Sequence, residues 1–186
     1  VITGVTRGLG AALAHWLVGQ GKTVAGCARS QADIGQLRDW YPPPNTFHAV
    51  DVTNTGDVKA WARTVIETSG VPDLVVNNAS IVNDASVRSW ELDDDEFDRV
   101  MAVNINGTAN VSRAFLPAMV ERGAGTIVGL SSRAGRKGLG NLAPYCAGKW
   151  AIEGMMKAIA RELPEGMAAI PMNPCDINTD MYRSNW

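Results

Sequence analysis

Apolar positions along the chain fall into two kinds of run, and the two kinds alternate. Short runs stand at 1–3, 23–28 (TVAGCA), 46–50 (TFHAV), 73–77 (DLVVN), 126–130 (TIVGL) and 167–172 (MAAIPM). They are apolar nearly throughout, as strands covered on both faces must be. Between them, apolar residues recur three or four apart. The first such stretch, about 9–19, sets Leu9, Leu13, Trp16 and Leu17 on one stripe, and Gly21 suits a helix stop. A second helix spans about 31–40 and ends before Pro42, Pro43 and Pro44. The third, about 56–68, takes Thr55 as its N-cap and buries Val58, Trp61, Val65 and Ile66. The fourth is long, about 94–121, with an acidic start over 93–96 that suits a helix dipole. The fifth covers about 145–163.

Strand–helix alternation repeated five times predicts an α/β fold, with a parallel sheet carrying helices on both faces in three layers. Right-handed crossovers then favour a doubly wound, Rossmann-like sheet with strand order 3-2-1-4-5-6. No repeat or linker divides residues 1–186, so one domain is expected. Ligands of such sheets bind beyond the carboxyl ends of the strands, and the residues there carry the functional reading.

Composition narrows the classes. The net charge is −2, with no basic block, which argues against general nucleic-acid binding. No apolar run reaches the roughly 18–20 residues of a membrane span. Cys27, Cys146 and Cys175 are odd in number and far apart, and His15 and His48 stand alone. Reduced thiols in a cytoplasmic protein and no metal site are therefore expected.

After the first strand comes TGVTRGLG, residues 3–10, with Gly4, Gly8 and Gly10 between a strand and a helix. Such a turn serves either as a plain connection or as a cradle for a diphosphate on free helix N–H groups. Its spacing, TGxxxGxG, resembles the short-chain dehydrogenase/reductase family, and further stretches match that family in order along essentially the whole chain. The resemblance implies a dinucleotide held by Gly4, Thr6, Arg7, Gly8, Leu9 and Gly10. Arg29 stands at the end of the second strand, where an acid would bind the ribose of NAD, and no acid follows before Asp33. Arg7 and Arg29 together favour the 2′-phosphate of NADP, with NAD the lesser choice. Asp51 and Val52 resemble the pair that holds the adenine. Asn78 and Ala79, in NNAS, resemble the floor beneath the adenosine, with Ser80 in place of a glycine. Pro174, Ile177 and Thr179 resemble the loop that holds the carboxamide, with Cys175 where glycine is usual.

Tyr145 and Lys149 lie four apart, on one helix face. They are either an ordinary helix start with a lysine, or a proton-transfer pair. An ammonium about 6 Å from a phenol favours the phenolate by roughly 3 kcal/mol at an effective dielectric of about 20. By resemblance Tyr145 is the general acid/base, Lys149 also holds the nicotinamide ribose, Ser132 steadies the substrate oxygen, and Asn104 binds a relay water through its carbonyl. The activity implied is hydride transfer between NADP(H) and a carbonyl or alcohol. A non-catalytic nucleotide-binding module is the alternative. The chain looks cut at both ends, lacking a start, a substrate-covering tail and a seventh strand. Pairing into a dimer or tetramer through the helices at about 94–121 and 145–163 is a further expectation.

Overall fold

The computed structural model describes residues 1–183. Six strands form one parallel sheet: β1 (Ile2–Thr3), β2 (Ala25–Ala28), β3 (Thr46–Ala49), β4 (Leu74–Asn77), β5 (Gly125–Leu130) and β6 (Met167–Met172). Their order is β3-β2-β1-β4-β5-β6, as predicted. The order reverses between β1 and β4, so a crevice opens at the carboxyl end of the sheet. Period two sorts the strand side chains. Val75 and Ile127 face one core and their neighbours Val76 and Val128 face the other.

On one face lie α1 (Gly8–Gly19) and α2 (Gln31–Trp40), whose Ala14, Ile34 and Leu37 are buried against Ile2, Phe47 and Val76. The other face carries α3 (Thr55–Ser69), with Val58, Trp61 and Val65 packed on Phe115 and Met119 of α5 (Thr108–Arg122). Trp61 and Phe115 meet edge to face at 5.3 Å between ring centroids. Also on that face is α6 (Ala143–Glu162), whose Ile152 and Met156 occupy the space above Gly129.

Four local expectations change. Asn54, not Thr55, caps α3: its Oδ1 accepts from the N–H groups of Gly56 (2.9 Å) and Asp57 (3.2 Å). Thr55 instead turns its hydroxyl to Asn110 Oδ1 at 3.1 Å. Trp16 leaves the predicted buried stripe and is 59% exposed. Ile66 is only half-buried. The predicted fourth helix is continuous but not uniform. It runs as α4 (Asp94–Met101), widens to a π-helical turn over Ala102–Gly107, and resumes as α5. Gly107 sits where a Cβ would lie 2.7 Å from Val52 Cγ2, so this widened turn packs tightly on the end of the third strand–loop unit.

β6 pairs only with β5 and forms an edge, where Ile170 and Met172 stay 42% and 46% exposed. Pro171 lies within it, as edge strands permit. The described residues end in the short α7 (Asp180–Arg183).

Candidate active site

The carboxyl ends of the strands open into one cleft of about 870 Å³. Gly4 closes β1 with φ +72°, and its N–H donates to Cys27 O at 2.7 Å. A Cβ on Gly10 would stand 2.2 Å from Gly4 O and 2.4 Å from Asn78 Nδ2, so only glycine lets α1 begin this close to the strand. Asn78 Nδ2 donates to Thr3 O (2.8 Å) and Gly4 O (3.1 Å). The Thr3 hydroxyl accepts from the N–H groups of Asn78 (3.0 Å) and Ala79 (2.9 Å). The turn after β1 and the segment after β4 are thereby stitched into one floor.

Across the cleft stands the segment 173–181. A Cβ on Gly8 would meet Thr179 Cγ2 at 3.4 Å, so the glycine turn and this segment approach face to face. Cys175 adopts φ +64°, the left-handed conformation that a side chain disfavours. Its N–H donates to Asn173 Oδ1 at 3.1 Å, and its thiol is free and exposed.

At one end of the cleft lie Arg7, Arg29, Asp33, Asp51 and Val52. Among the described residues neither arginine is in an ion pair, and both are exposed. Asp51 closes its own turn, with Oδ1 accepting the N–H (2.9 Å) and hydroxyl (2.8 Å) of Thr53. A dinucleotide fits this donor set: a long cleft, a side-chain-free glycine turn at its middle, and two guanidinium groups at one end. Among the described residues no cluster of His, Cys, Asp or Glu suits a metal.

At the other end, α6 meets the end of β5 along one stripe. Tyr145, Lys149 and Glu153 follow at i, i+4 and i+8. Ser132 Oγ accepts from Ala134 N–H at 3.2 Å and lies near enough to Tyr145 to favour the phenolate. Lys149 Nζ donates to Leu130 O at 2.7 Å and sits 5.5 Å from the centre of the Tyr145 ring. Glu153 Oε1 accepts from Arg136 Nε at 3.3 Å and Oε2 meets Lys157 Nζ at 3.0 Å. Gly135 lets the 3₁₀ turn after β5 (Arg133–Gly135) press onto this helix, since a Cβ there would stand 2.6 Å from Ser131 Oγ and 2.9 Å from Lys149 O. Ser131 serves the strand end, its N–H donating to Met172 O at 2.8 Å.

Burial decides the charges here. It lowers Lys149 from 10.5 to about 8. It raises Tyr145 above 10; the hydrogen bond with Ser132 opposes this and the neighbouring Cys146 adds to it. The lowering expected from Lys149 is thus overturned in the cofactor-free protein. The phenol is 7% exposed, and its ammonium neighbour is itself buried and directed at Leu130 O.

Asn104 and Gly10 are the two predicted residues that do not line the cleft. Asn104 is 2% exposed, and its side chain is committed to the segment after β4. Its Oδ1 accepts from Ile81 N–H (2.9 Å) and the Ser80 hydroxyl (3.0 Å), while its Nδ2 donates to Ile81 O (2.8 Å). Its carbonyl accepts from the Thr108 hydroxyl at 3.0 Å, and its Cβ packs where a Cβ on Gly148 would stand 3.1 Å away. Thr6, Leu9, Pro174 and Ile177 line the cleft as predicted. Arg99 lines it without having been marked by any sequence pattern, and Arg133, next to Ser132, and Met181 line it as well. Ser80 is not a neutral replacement of glycine, because its hydroxyl is one of the bonds to Asn104.

The sequence profile described as short chain dehydrogenase matches residues 1–186. An Arabidopsis thaliana protein described as an NADPH-dependent pterin aldehyde reductase is 46% identical over 187 residues, which cover 99% of this chain and 76% of the relative. A 3-oxoacyl-(acyl-carrier-protein) reductase of Vibrio harveyi is 30% identical, with 99% and 75% covered. A short-chain dehydrogenase structure from Streptomyces avermitilis aligns with TM-score 0.89 at 30% identity, covering 97% of this chain and 66% of that one. A Brucella melitensis 3-ketoacyl-(acyl-carrier-protein) reductase complexed with NADH gives 0.92 at 26% identity, covering 98% and 77%. A Shigella flexneri short chain dehydrogenase complexed with NADP gives 0.90 at 26%, covering 100% and 80%.

Proposed function

Because this chain belongs to the short-chain dehydrogenase family of NAD(P)-dependent oxidoreductases, we propose that it reduces an aldehyde or ketone with NADPH, using Tyr145 as the acid. The observation that carries this reading is the meeting of Tyr145, Ser132 and Lys149 at one end of a cleft whose other end holds Arg7 and Arg29.

A dihydronicotinamide held in this cleft would supply the hydride. Tyr145 gives its proton to the substrate oxygen. Burial holds the phenol above its ordinary range, so it carries its proton at neutral pH and can act as the acid in reduction. Ser132 donates a hydrogen bond to the same oxygen as negative charge develops there. Lys149 keeps a positive charge beside the phenol and would hold the nicotinamide ribose. Asn104 acts by fixing Ser80 and Ile81, and its part in a water relay rests on its place one helix away from Lys149. Arg7 and Arg29 would hold the 2′-phosphate, Asp51 and Val52 the adenine, and the 174–179 segment the carboxamide.

The Arabidopsis relative makes a pterin-type aldehyde the first substrate to try. Pairing would use the helices that leave Phe97, Val120 and Trp150 exposed. Among the described residues no helix is long and apolar enough to cross a membrane. A cytoplasmic location goes with the three unpaired thiols. The test is steady-state reduction of a pterin aldehyde and simple aldehydes with NADPH or NADH. NADPH should be favoured by about tenfold or more, which is about 1.4 kcal/mol, and the preference should vanish in Arg7→Ala/Arg29→Ala. No reduction of any carbonyl with either cofactor would overturn the reading.

A further inference from the structure

Two loops build the wall beside Tyr145: residues 81–93 after β4 and 136–142 before α6. They are far apart in sequence and joined by a reciprocal pair of amide bonds. Asn83 Nδ2 donates to Asn141 O at 2.8 Å, and Asn141 Nδ2 donates back to Ala85 O at 3.0 Å. Asn83 is 1% exposed. This clasp is kept against local preference. Asn141 sits at φ +60°, and Asn83 Oδ1 is buried without a hydrogen-bond partner among the described residues. What it encloses is apolar. Val82 and Ala85 from the first loop and Leu139 and Leu142 from the second belong to one apolar cluster with Ala134, Tyr145 and Cys146. Val82 and Leu142 are the immediate neighbours of the two clasp residues.

We infer that the Asn83–Asn141 clasp is a positioning element for the proton donor, holding both loops closed over Tyr145 so that the phenol stays dry and against Ser132. The inference rests on the assignment of Tyr145 as the acid. It goes beyond the family pattern, because neither asparagine belongs to the motifs that carry the resemblance. The clasp is expected to govern proton delivery and carbonyl reduction, and to leave the dinucleotide end of the cleft untouched.

Asn141→Gly and Asn83→Ala test it: glycine keeps the positive φ and loses the Nδ2 donor to Ala85 O, alanine loses the Nδ2 donor to Asn141 O, and neither adds a charge. The first readout is the titration of Tyr145 by ultraviolet difference absorbance, with Tyr145→Phe subtracted to remove the other tyrosines. Lys149 and Cys146, both on α6, are the titratable groups that act on the phenol among the described residues, and Val82, Ala85, Leu139 and Leu142 of the two loops join its apolar cluster. With those charges unchanged, opening the clasp should return the phenol from its raised value toward 10. The second readout is NADPH affinity, which should stay within about twofold. The third is kcat/KM for the carbonyl, which should fall about tenfold, as expected for one hydrogen bond. An unshifted phenol titration, or an NADPH affinity lost along with thermal stability, would overturn the inference. A parent protein that shows the titration shift on opening but reduces no carbonyl would instead sink the functional reading and leave the clasp standing.

Discussion

Replacing Lys149 with methionine should stabilise the cofactor-free protein at neutral pH while ending turnover. Lys149 is 4% exposed, and burial alone holds its ammonium at about 8 against 10.5. The unfolded chain therefore binds more protons between those values, and stability rises with pH across that window. Below pH 8 the folded protein carries the full penalty, about 3 kcal/mol. Removing the ammonium also leaves Leu130 O without its donor, a loss of about 1–3 kcal/mol for a buried acceptor. The net gain near pH 7 is about 1 kcal/mol. The deciding quantity is its change with pH. The advantage of Lys149→Met should shrink by about 2–3 kcal/mol between pH 7 and pH 10, and the variant should become the less stable of the two. Cys27, pushed up to about 12 by burial, lowers stability above the ordinary thiol range, but it does so equally in both proteins. Paired urea unfolding at the two pH values measures the difference. A difference that does not vary with pH would show that the lysine is not desolvated in the fold, and the electrostatic account of the site would fail with it.

The backbone of the cleft gives two further outcomes. Cys175→Gly relieves a left-handed residue at φ +64°. The relief, about 1–2 kcal/mol, exceeds the added freedom of the unfolded glycine, about 0.4–1 kcal/mol. The melting temperature should rise by about 2 °C, read by calorimetry, and a fall would contradict the assignment. Gly10→Ala drives a methyl to within 2.2 Å of Gly4 O and should spread the glycine turn. NADPH affinity, read by fluorescence titration, should drop by about tenfold or more, and an unchanged affinity would show that the turn does not cradle the dinucleotide.

The sheet was legible because buried parallel strands write themselves as short apolar runs, and β6 appears over the predicted 167–172. The site was legible through the resemblance to the short-chain dehydrogenase family, which marked Ser132, Tyr145 and Lys149, and the structure brings the three to one cleft. Side-chain competition within a turn was not. Asn54 and Thr55 are both good caps, and only the pull of Asn110 on the Thr55 hydroxyl decides between them. The π-helical turn was hidden, since the contact that goes with it, Gly107 against Val52, spans 55 residues. The Tyr145 titration was misjudged because a Coulomb estimate for Tyr145 and Lys149 contains no burial. The walls that desolvate the phenol come from loops 50 residues apart whose clasp no local pattern announces.

The central claim is that Tyr145 delivers the proton while the rest of the cleft binds the cofactor without it. Single-turnover oxidation of bound NADPH by an aldehyde, compared between the parent and Tyr145→Phe, tests this most directly. NADPH should bind both proteins alike, and the rate of its oxidation should fall about 10²–10⁴-fold in the variant. A variant that oxidises NADPH at the parent rate would contradict the account.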